Sequence, residues 1–515
     1  MLRHCFGHAP NAKTKALEAT LTKHQIRTCL AGYIQSVPRL QNQTEAMTNQ
    51  LVLTAPAPTV RLGSKKLVEI KRAQDVIEGL AWLSVLAVTV MFLLDGGAAK
   101  FSDLPTTLNS ISRLTSLVGT DLLLIHMLLV ARVPWIDKFY GHDKATLAHK
   151  KLGKPVLYLI VAHFLASLIS FAITEGENIV TTLWWLITDV PDMLTATLAL
   201  ALMILVVVTS LNFARRKMSY EAWYIVHVFS YAAVILGVPH IFSTGTDIAG
   251  KPAQTIFWVS LYLFVAGNII WYRILKPSFA ALAMRTKVAS VVRESSDTVS
   301  ITVEGRKLSK LGTQAGQFFM LRVMTPTQWW RPHPFSISAT PTDGKIRFTI
   351  GNRGDDTALL QSITPGTRVI LEGPYGVFTE ERRSREKVIL VAAGIGIPPV
   401  RALAESIVAR PGDVTVIYRV RNANDASLLD EIREICRIRG HNLFVLAGPR
   451  ASNASWMSDD GSDLPDQARL THMAPWVSES DVFVCGPQIW TEQVVKSALR
   501  AGALPSRIHS EEYAW

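Results

Sequence analysis

"LAHKKLGKPVLYLIVAHFLAS" (residues 147–167) is an apolar stretch carrying two histidines, His149 and His163, 14 positions apart. Fourteen residues of α-helix rise about 21 Å and return to within about 40° of the same face. Ionisable side chains inside a membrane span are expensive and mark functional positions by default. Two imidazoles on one face, at two depths, therefore decide how the chain around them is read.

That chain has 515 residues, 49% hydrophobic and 18% charged, too apolar for an ordinary soluble protein and long enough for several domains. The apolar runs crowd residues 75–275. Six spans are expected there, at about 75–95, 108–132, 150–173, 191–213, 221–243 and 254–275, each near the 20 residues that cross a bilayer as helix. Basic residues gather at alternate ends of the spans. Lys65, Lys66, Lys71 and Arg72 precede the first; Arg132, Lys138, Lys144, Lys150 and Lys151 lie between the second and third. Arg215, Arg216 and Lys217 follow the fourth; Arg273, Lys276, Arg285 and Lys287 follow the sixth. The intervening loops are poor in Lys and Arg, and "TEGENIVTTLWWLITDVPD" (174–192) is acidic. The positive-inside rule then puts both termini in the cytoplasm. The net charge of +12 is accounted for by this topology, so no nucleic-acid partner is expected.

The fifth span carries His227 and His240, 13 apart. The third and fifth spans run parallel, so His149 is expected to face His227 near the cytoplasmic side and His163 to face His240 further out. Facing imidazoles at two depths can ligate two haems axially. Residues 13 apart stand about 140° out of line on a straight helix, so a kink or bulge is expected at Pro239. His126, in the second span, has no partner at such spacing and reads as structural. The four cysteines, Cys5, Cys29, Cys436 and Cys485, form no C-x-x-C, which argues against a zinc ribbon and against covalently attached haem. The first 60 residues lack the apolar core of a cleavable signal peptide.

After Pro277 the pattern changes to short strands separated by Gly and Pro turns. "TVSITVEG" (298–305), "AGQFFMLRV" (315–323) and "KIRFTIGN" (345–352) read as a small β domain over about 280–382. "KVILVAAGIGIPPVRALAESIV" (387–408), "DVTVIYRVRNANDASLLDEIREI" (413–435) and "SDVFVCGPQIWTEQVVKSALRAG" (480–502) alternate strand and helix, which argues a parallel sheet over about 385–515. Gly394 and Gly396 follow a strand and open a helix, where backbone N–H groups can meet a phosphate; a plain tight turn is the alternative. Arg419 and Arg421 follow the next strand, where guanidiniums suit a ribose 2′-phosphate and favour NADPH over NADH, unless they are simply solvated charge.

The C-terminal half resembles the ferredoxin–NADP⁺ reductase family. Residues 70–515 as a whole resemble the ferric reductase and NADPH oxidase superfamily, through the six spans, the two histidine pairs, "RPHPFSIS" (331–338), "GNRGDDTALL" (351–360), "GIGIPP" (394–399) and "VCGP" (484–487). The resemblance implies a multidomain membrane protein: an all-α six-helix bundle binding two b haems, then a β-barrel FAD-binding domain and an α/β nucleotide-binding domain. It implies Arg331, His333, Pro334, Phe335, Ser336 and Ser338 beside the flavin, and Gly354 and Thr357 at its diphosphate. It implies Gly394, Gly396 and Pro398 at the NADPH pyrophosphate, with Cys485, Gly486 and Pro487 near the nicotinamide. The terminal aromatic Trp515 would cover the flavin.

The implied activity is that of an NAD(P)H-dependent flavohaem oxidoreductase. Electrons would pass from cytoplasmic NADPH through FAD and two haems to ferric iron or dioxygen on the opposite face. Arg113, in "NSISRLTSLVG" (109–119), resembles an arginine beside the outer haem of NADPH oxidases, where its charge would favour superoxide; a propionate partner or a snorkelling side chain are the alternatives. Ser167 stands where animal oxidases carry a further histidine, which counts against an oxidase-type oxygen site. Lys150, Lys151, Arg215 and Arg216 are candidates for haem propionates or for topology alone. A proton or ion transporter using the histidines as a relay, or a flavin reductase merely anchored by its spans, are the competing readings; a relay gives the flavin module nothing to do. Lipid and a small acceptor are the expected partners, and the short loops favour a bacterial plasma membrane. The sequence sets no oligomeric state.

Residues 1–65 read as an extension without a defensible metal site, and Met47 is a candidate start. Deleting residues 1–46 should leave haem content and NADPH-driven activity intact; loss of haem in the purified truncation would contradict this.

Overall fold

The computed structural model describes residues 64–97 and 101–512. Trp515 and the expected N-terminal extension up to residue 63, with Met47, lie outside the described residues.

Among the described residues, six helices are long and apolar enough to cross a membrane. They are α1 (Ser64–Leu94), α2 (Leu104–Leu129), α3 (His142–Glu175), α4 (Met193–Ser210), α5 (Tyr220–Ser243) and α6 (Pro252–Ile269). Their ends carry ordinary stop and start chemistry. Asp103 and Thr106 form a capping box at the start of α2, with Pro105 in the first turn. Gly176 ends α3 in the left-handed conformation at φ 71°. The Ser219 hydroxyl accepts from Ala222 N at the start of α5. Packing is pairwise: α2 lies along α3, and α4 along α5. Gly119 lets α2 approach closely, since a Cβ there would sit 3.2 Å from Leu159 Cβ. Outward faces are apolar and uncovered, with Trp82, Ile235 and Leu263 well exposed, as lipid-facing surfaces should be.

Three details differ from the sequence pattern. The acidic loop after α3 contains a short apolar helix, Ile179–Asp189, opened by an Asn178 cap. The last span does not stop at Pro277. A π-helical turn (Ile270–Leu275) carries α6 directly into a further helix, Lys276–Met284, with Pro277 just past the turn. And α5 is continuous helix through Pro239, with no bulge at the expected place.

The chain then builds two three-stranded antiparallel sheets. One has the order β1 (Lys287–Ser295), β2 (Thr298–Glu304), β5 (Lys345–Gly351). The other has β4 (His333–Ser336), β3 (Phe318–Val323), β6 (Val369–Tyr375). Isolated bridges Lys287–Arg368 and Ile337–Phe348 join the sheets along both edges around a core of Ile301, Phe319, Leu321, Ile337 and Phe348. A parallel five-stranded sheet comes next, ordered β11 (Ile508–Glu512), β10 (Asp481–Gly486), β7 (Val388–Ala393), β8 (Val414–Arg419), β9 (Asn442–Leu446). It is crossed by α7 (Ile397–Ser406), α8 (Leu429–Arg439) and α9 (Gln488–Arg500). β7, β8 and β10 are buried throughout, as strands covered on both faces must be.

The membrane and soluble parts meet on the segment between α2 and α3. Arg132 forms a buried ion pair with Glu372 of β6 and lies over the Tyr375 ring. Tyr375 donates its hydroxyl to Glu372 (2.9 Å), and His142 stacks on the Tyr375 ring at 5.5 Å. Burial first, then the Glu372 charge, push the Tyr375 phenol well above its ordinary pKa. Arg382 donates to the carbonyls of Lys138 and Phe139, and Arg331 pairs with Glu221 at the start of α5.

Removing one member of a buried ion pair costs about 3–5 kcal/mol because the other charge is stranded. Arg132→Ala and Glu372→Ala should each lower the thermal midpoint of the purified protein and open residues 276–286 to protease. The double variant should lose less than the two losses added; fully additive losses would show that the pair is not coupled.

Candidate functional site

The structure brings the four span histidines together in two pairs. His149 of α3 meets His227 of α5 with ring centres 6.1 Å apart, and His163 meets His240 at 6.4 Å. Two metal–imidazole bonds of about 2.0 Å and two half-rings of about 1.1 Å give ring centres about 6.2 Å apart. Both gaps thus match a metal held axially between two imidazoles.

The tautomers agree. His149 Nδ1 lies 3.0 Å from the His126 carbonyl and His163 Nδ1 lies 3.1 Å from the Ser112 carbonyl. A carbonyl only accepts, so each Nδ1 carries the proton. Thr244 Oγ1 lies 2.8 Å from the His240 carbonyl and 2.7 Å from His240 Nδ1; with its one proton on the carbonyl it accepts from Nδ1. Ser210 gives its proton to the Val206 carbonyl (2.7 Å) and accepts from Trp223 Nε1 (3.2 Å), so it too accepts from His227 Nδ1 at 3.3 Å. All four histidines therefore keep the Nε2 lone pair free. A ligating histidine needs its other nitrogen fixed in this way. Among the described residues no group of three or more His, Cys, Asp or Glu side chains could hold a bare metal ion. Two-ligand sites suit an iron whose remaining positions belong to a macrocycle.

Several of these partners escaped the sequence reading. Ser112 also sits 2.8 Å from His163 Nδ1 and 2.6 Å from Ser167 Oγ, so Ser167 belongs to the outer pair's surroundings. His126 is not without a partner: its ring stacks on His149 at 3.7 Å and 10°. Trp223 stacks on His227 at 4.9 Å and 26°. Trp223 and His227 are an i, i+4 pair on α5, a spacing that could have shown the stack; the contacts between α2 and α3, which join residues up to 55 positions apart, have no such local signal.

Arg113 is paired within the bundle. One residue beyond Ser112, it points about 100° further round α2. Its guanidinium is buried against Asp247 and Asp95, and Lys251 shares Asp95. Lys150, Lys151 and Arg216 are exposed and Arg215 lies over the Trp223 ring at 4.9 Å. Arg273, expected only to set topology, donates to the Val130 carbonyl at the end of α2 (3.0 Å).

On the flavin side, β4 places His333, Pro334, Phe335 and Ser336 against β3 in antiparallel register. Arg331, just before it, pairs with Asp356 and Glu221. Arg322 Nε, Arg331 Nε and His333 Nε2 are buried without a protein partner. Burial holds the His333 pKa below its ordinary value. Such orphaned nitrogens call for a ligand. A cavity of about 230 Å³ lies alongside, lined by Arg273, Met320, Arg322, Pro332 and Glu372. Gly354 opens the helix Asp355–Leu360, and Thr357 is tied to it, donating to its carbonyl at 2.9 Å. Ser338 is occupied elsewhere: it accepts from Arg347 Nε (3.1 Å), and Arg347 pairs with Glu431 of α8.

In the nucleotide domain, Gly394 stands between β7 and α7 at φ 50° with open space where a Cβ would be. Gly396 has a different reason to be glycine: a Cβ there would lie 2.2 Å from the Cys485 carbonyl. It lets the turn press on the end of β10, where Cys485 is buried, Gly486 packs against Trp490, and Pro487 caps α9. Pro398 lies in the first turn of α7. Arg419 is buried at 6% exposure, and its guanidinium donates to the carbonyls of Val420, Leu446 and Gly448. It is therefore committed to the backbone, with burial and then Arg450 and Arg421 lowering its pKa. Arg421 is exposed.

Comparison with known proteins matches three stretches of the chain to known families. Residues 115–238 match the ferric reductase like transmembrane component, 283–379 an FAD-binding domain, and 390–496 an oxidoreductase NAD-binding domain. The ferredoxin reductase component of 3-ketosteroid-9-alpha-monooxygenase from Mycolicibacterium smegmatis is 29% identical over 45% of this chain and 65% of its own. Ferric reduction oxidase 7, chloroplastic, from Arabidopsis thaliana is 24% identical over 57% of this chain and 41% of its own. NADPH oxidase 1 from Mus musculus is 24% identical over 42% and 41%. The chain thus spans less than two thirds of the length of these relatives. The three domains in this order on one polypeptide, with relatives among the ferric reduction oxidases and NADPH oxidases, support the ferric reductase and NADPH oxidase superfamily for this chain.

Proposed function

We propose that this integral membrane oxidoreductase carries electrons from cytoplasmic NADPH across the bilayer to a small acceptor on the far side. The observation that supports this best is the set of four free Nε2 atoms, paired at ring spacings of 6.1 and 6.4 Å. When bound, FAD takes a hydride from NADPH, and two b haems carry single electrons. His149 and His227 would hold the inner haem, and His163 and His240 the outer. Arg322 and His333 would donate to the flavin, with Phe335 and Ser336 beside it on β4 and the Gly354–Thr357 turn at its diphosphate. Gly394 leaves the α7 N-terminus open to a pyrophosphate. Arg421, exposed at the end of β8, would meet a 2′-phosphate. Cys485, Gly486 and Pro487 line the nicotinamide end. The Arg132–Glu372 contact keeps the flavin domain seated beneath the inner pair.

Ferric iron is favoured over dioxygen as the acceptor. The charge of Arg113 is neutralised by Asp95 and Asp247, so it offers no free cation to a forming superoxide. Ser167 supplies a hydroxyl where an oxidase would have an imidazole.

A reduced-minus-oxidised spectrum of the purified chain should show b-type haem at two per polypeptide; an absence of haem would refute the proposal. His149→Ala or His227→Ala should remove one haem and leave one, and so should either outer variant.

Arg421→Ala should weaken NADPH by roughly 10–100-fold in KM, the scale of a lost charged hydrogen bond, with NADH unchanged. An equal loss with both nucleotides would remove Arg421 from the phosphate site.

A further inference from the structure

The two histidine pairs are built differently, and the difference centres on His126. Hydroxyls touch both outer rings, Ser112 on His163 and Thr244 on His240, and one inner ring, Ser210 on His227. The inner rings are each held by a stacked ring, His126 on His149 and Trp223 on His227. The ring planes differ accordingly, 72° apart in the inner pair and 46° in the outer.

We infer that His126 is a positioning residue that fixes the ring plane of His149, and so the angle between the two axial imidazoles of the inner haem. Two contacts carry this. The His126 carbonyl takes the Nδ1 proton of His149 at 3.0 Å, which fixes one edge of the ring. That single bond leaves the ring free to swing about it. The His126 ring, 3.7 Å away and within 10° of parallel, blocks the swing. The ring lies over Gly153, one turn beyond His149 on the same face of α3, where even an added Cβ would be in ordinary contact with His126 Nε2 at 3.6 Å. A carbonyl and a stacked ring thus define one orientation. Neighbours of a ligating histidine act by setting its tautomer and ring orientation. The angle between axial planes sets the d-orbital splitting of a low-spin ferric haem, which its largest g value reports.

The inference rests on the pairing proposed above, with His149 as the ligand. Its test is low-temperature EPR on the full-length oxidised protein in detergent, with His163→Ala used to assign the inner signal. Substitution leaves the main-chain carbonyl in place, so the stack alone is changed. His126→Leu fills the space without a planar ring, and His126→Phe restores one. In wild type the inner pair should give the larger gmax, its planes being nearer perpendicular. His126→Leu should keep two haems per chain, shift or broaden the inner gmax and leave the outer signal unmoved. His126→Phe should return the inner signal to its wild-type position. An unmoved inner signal in His126→Leu would overturn the inference, as would an equal shift in His126→Phe. If instead both His126 variants lose the inner haem while His149→Ala keeps it, His126 is the ligand, and the pairing itself is what fails.

Discussion

A neutral imidazole has one proton and two nitrogens, and the place of that proton decides which nitrogen can bind a metal. Everything else in the membrane half is arranged around this constraint. Four Nδ1 protons are taken by four oxygens from different parts of the bundle: the carbonyls of His126 and Ser112 on α2, and the hydroxyls of Ser210 at the end of α4 and Thr244 just after α5. In the apolar interior an N–H without an acceptor is costly, so α2 must lie against α3 at this register to satisfy His149 and His163. Gly119 allows the approach. The tightest helix packing and the tautomer assignment are one requirement met twice.

The soluble half depends on a second constraint, which is distance. Electron transfer between separate domains requires that they stay together, and the segment between α2 and α3 does this. Arg132, His142 and the carbonyls of Lys138 and Phe139 all engage the end of the flavin domain. Within the soluble half, Arg347, Glu431, Arg401 and Glu405 tie the flavin sheet to the nucleotide domain through side chains that are only partly open to water. At Glu431, burial resists ionisation, but hydrogen bonding and charge from Arg347 prevail and hold its pKa below the ordinary value.

Much of this was legible in the sequence, for a physical reason. A span must be long and apolar, and histidines at 14 and 13 positions survive as a pattern because helical rise converts spacing directly into depth. Strand–turn–helix units around Gly394 and Cys485 were readable because their periodicity is local. The illegible part was set by partners far along the chain. Arg113 looked like a free cation because Asp247 is 134 residues away. Arg419 looked like a phosphate ligand because its carbonyl partners at Leu446 and Gly448 belong to another strand and the turn after it. Gly396 looked like part of a phosphate loop, although the carbonyl it makes room for is that of Cys485. His126 looked idle because stacking between neighbouring helices has no signature in either one.

The π-helical turn at Ile270–Leu275 joins two α-helical stretches into one rod that runs from the membrane into the base of the flavin domain. A π turn holds one more residue than an α turn would need, and each added residue rotates the rest of the helix by about 100°. The turn therefore acts as a phase setting between the two halves. The number of residues in the joint, more than their identity, decides which side of the flavin domain looks up at the bundle. Swapping reductase modules between relatives would then be a question of counting residues in this joint before matching any surface.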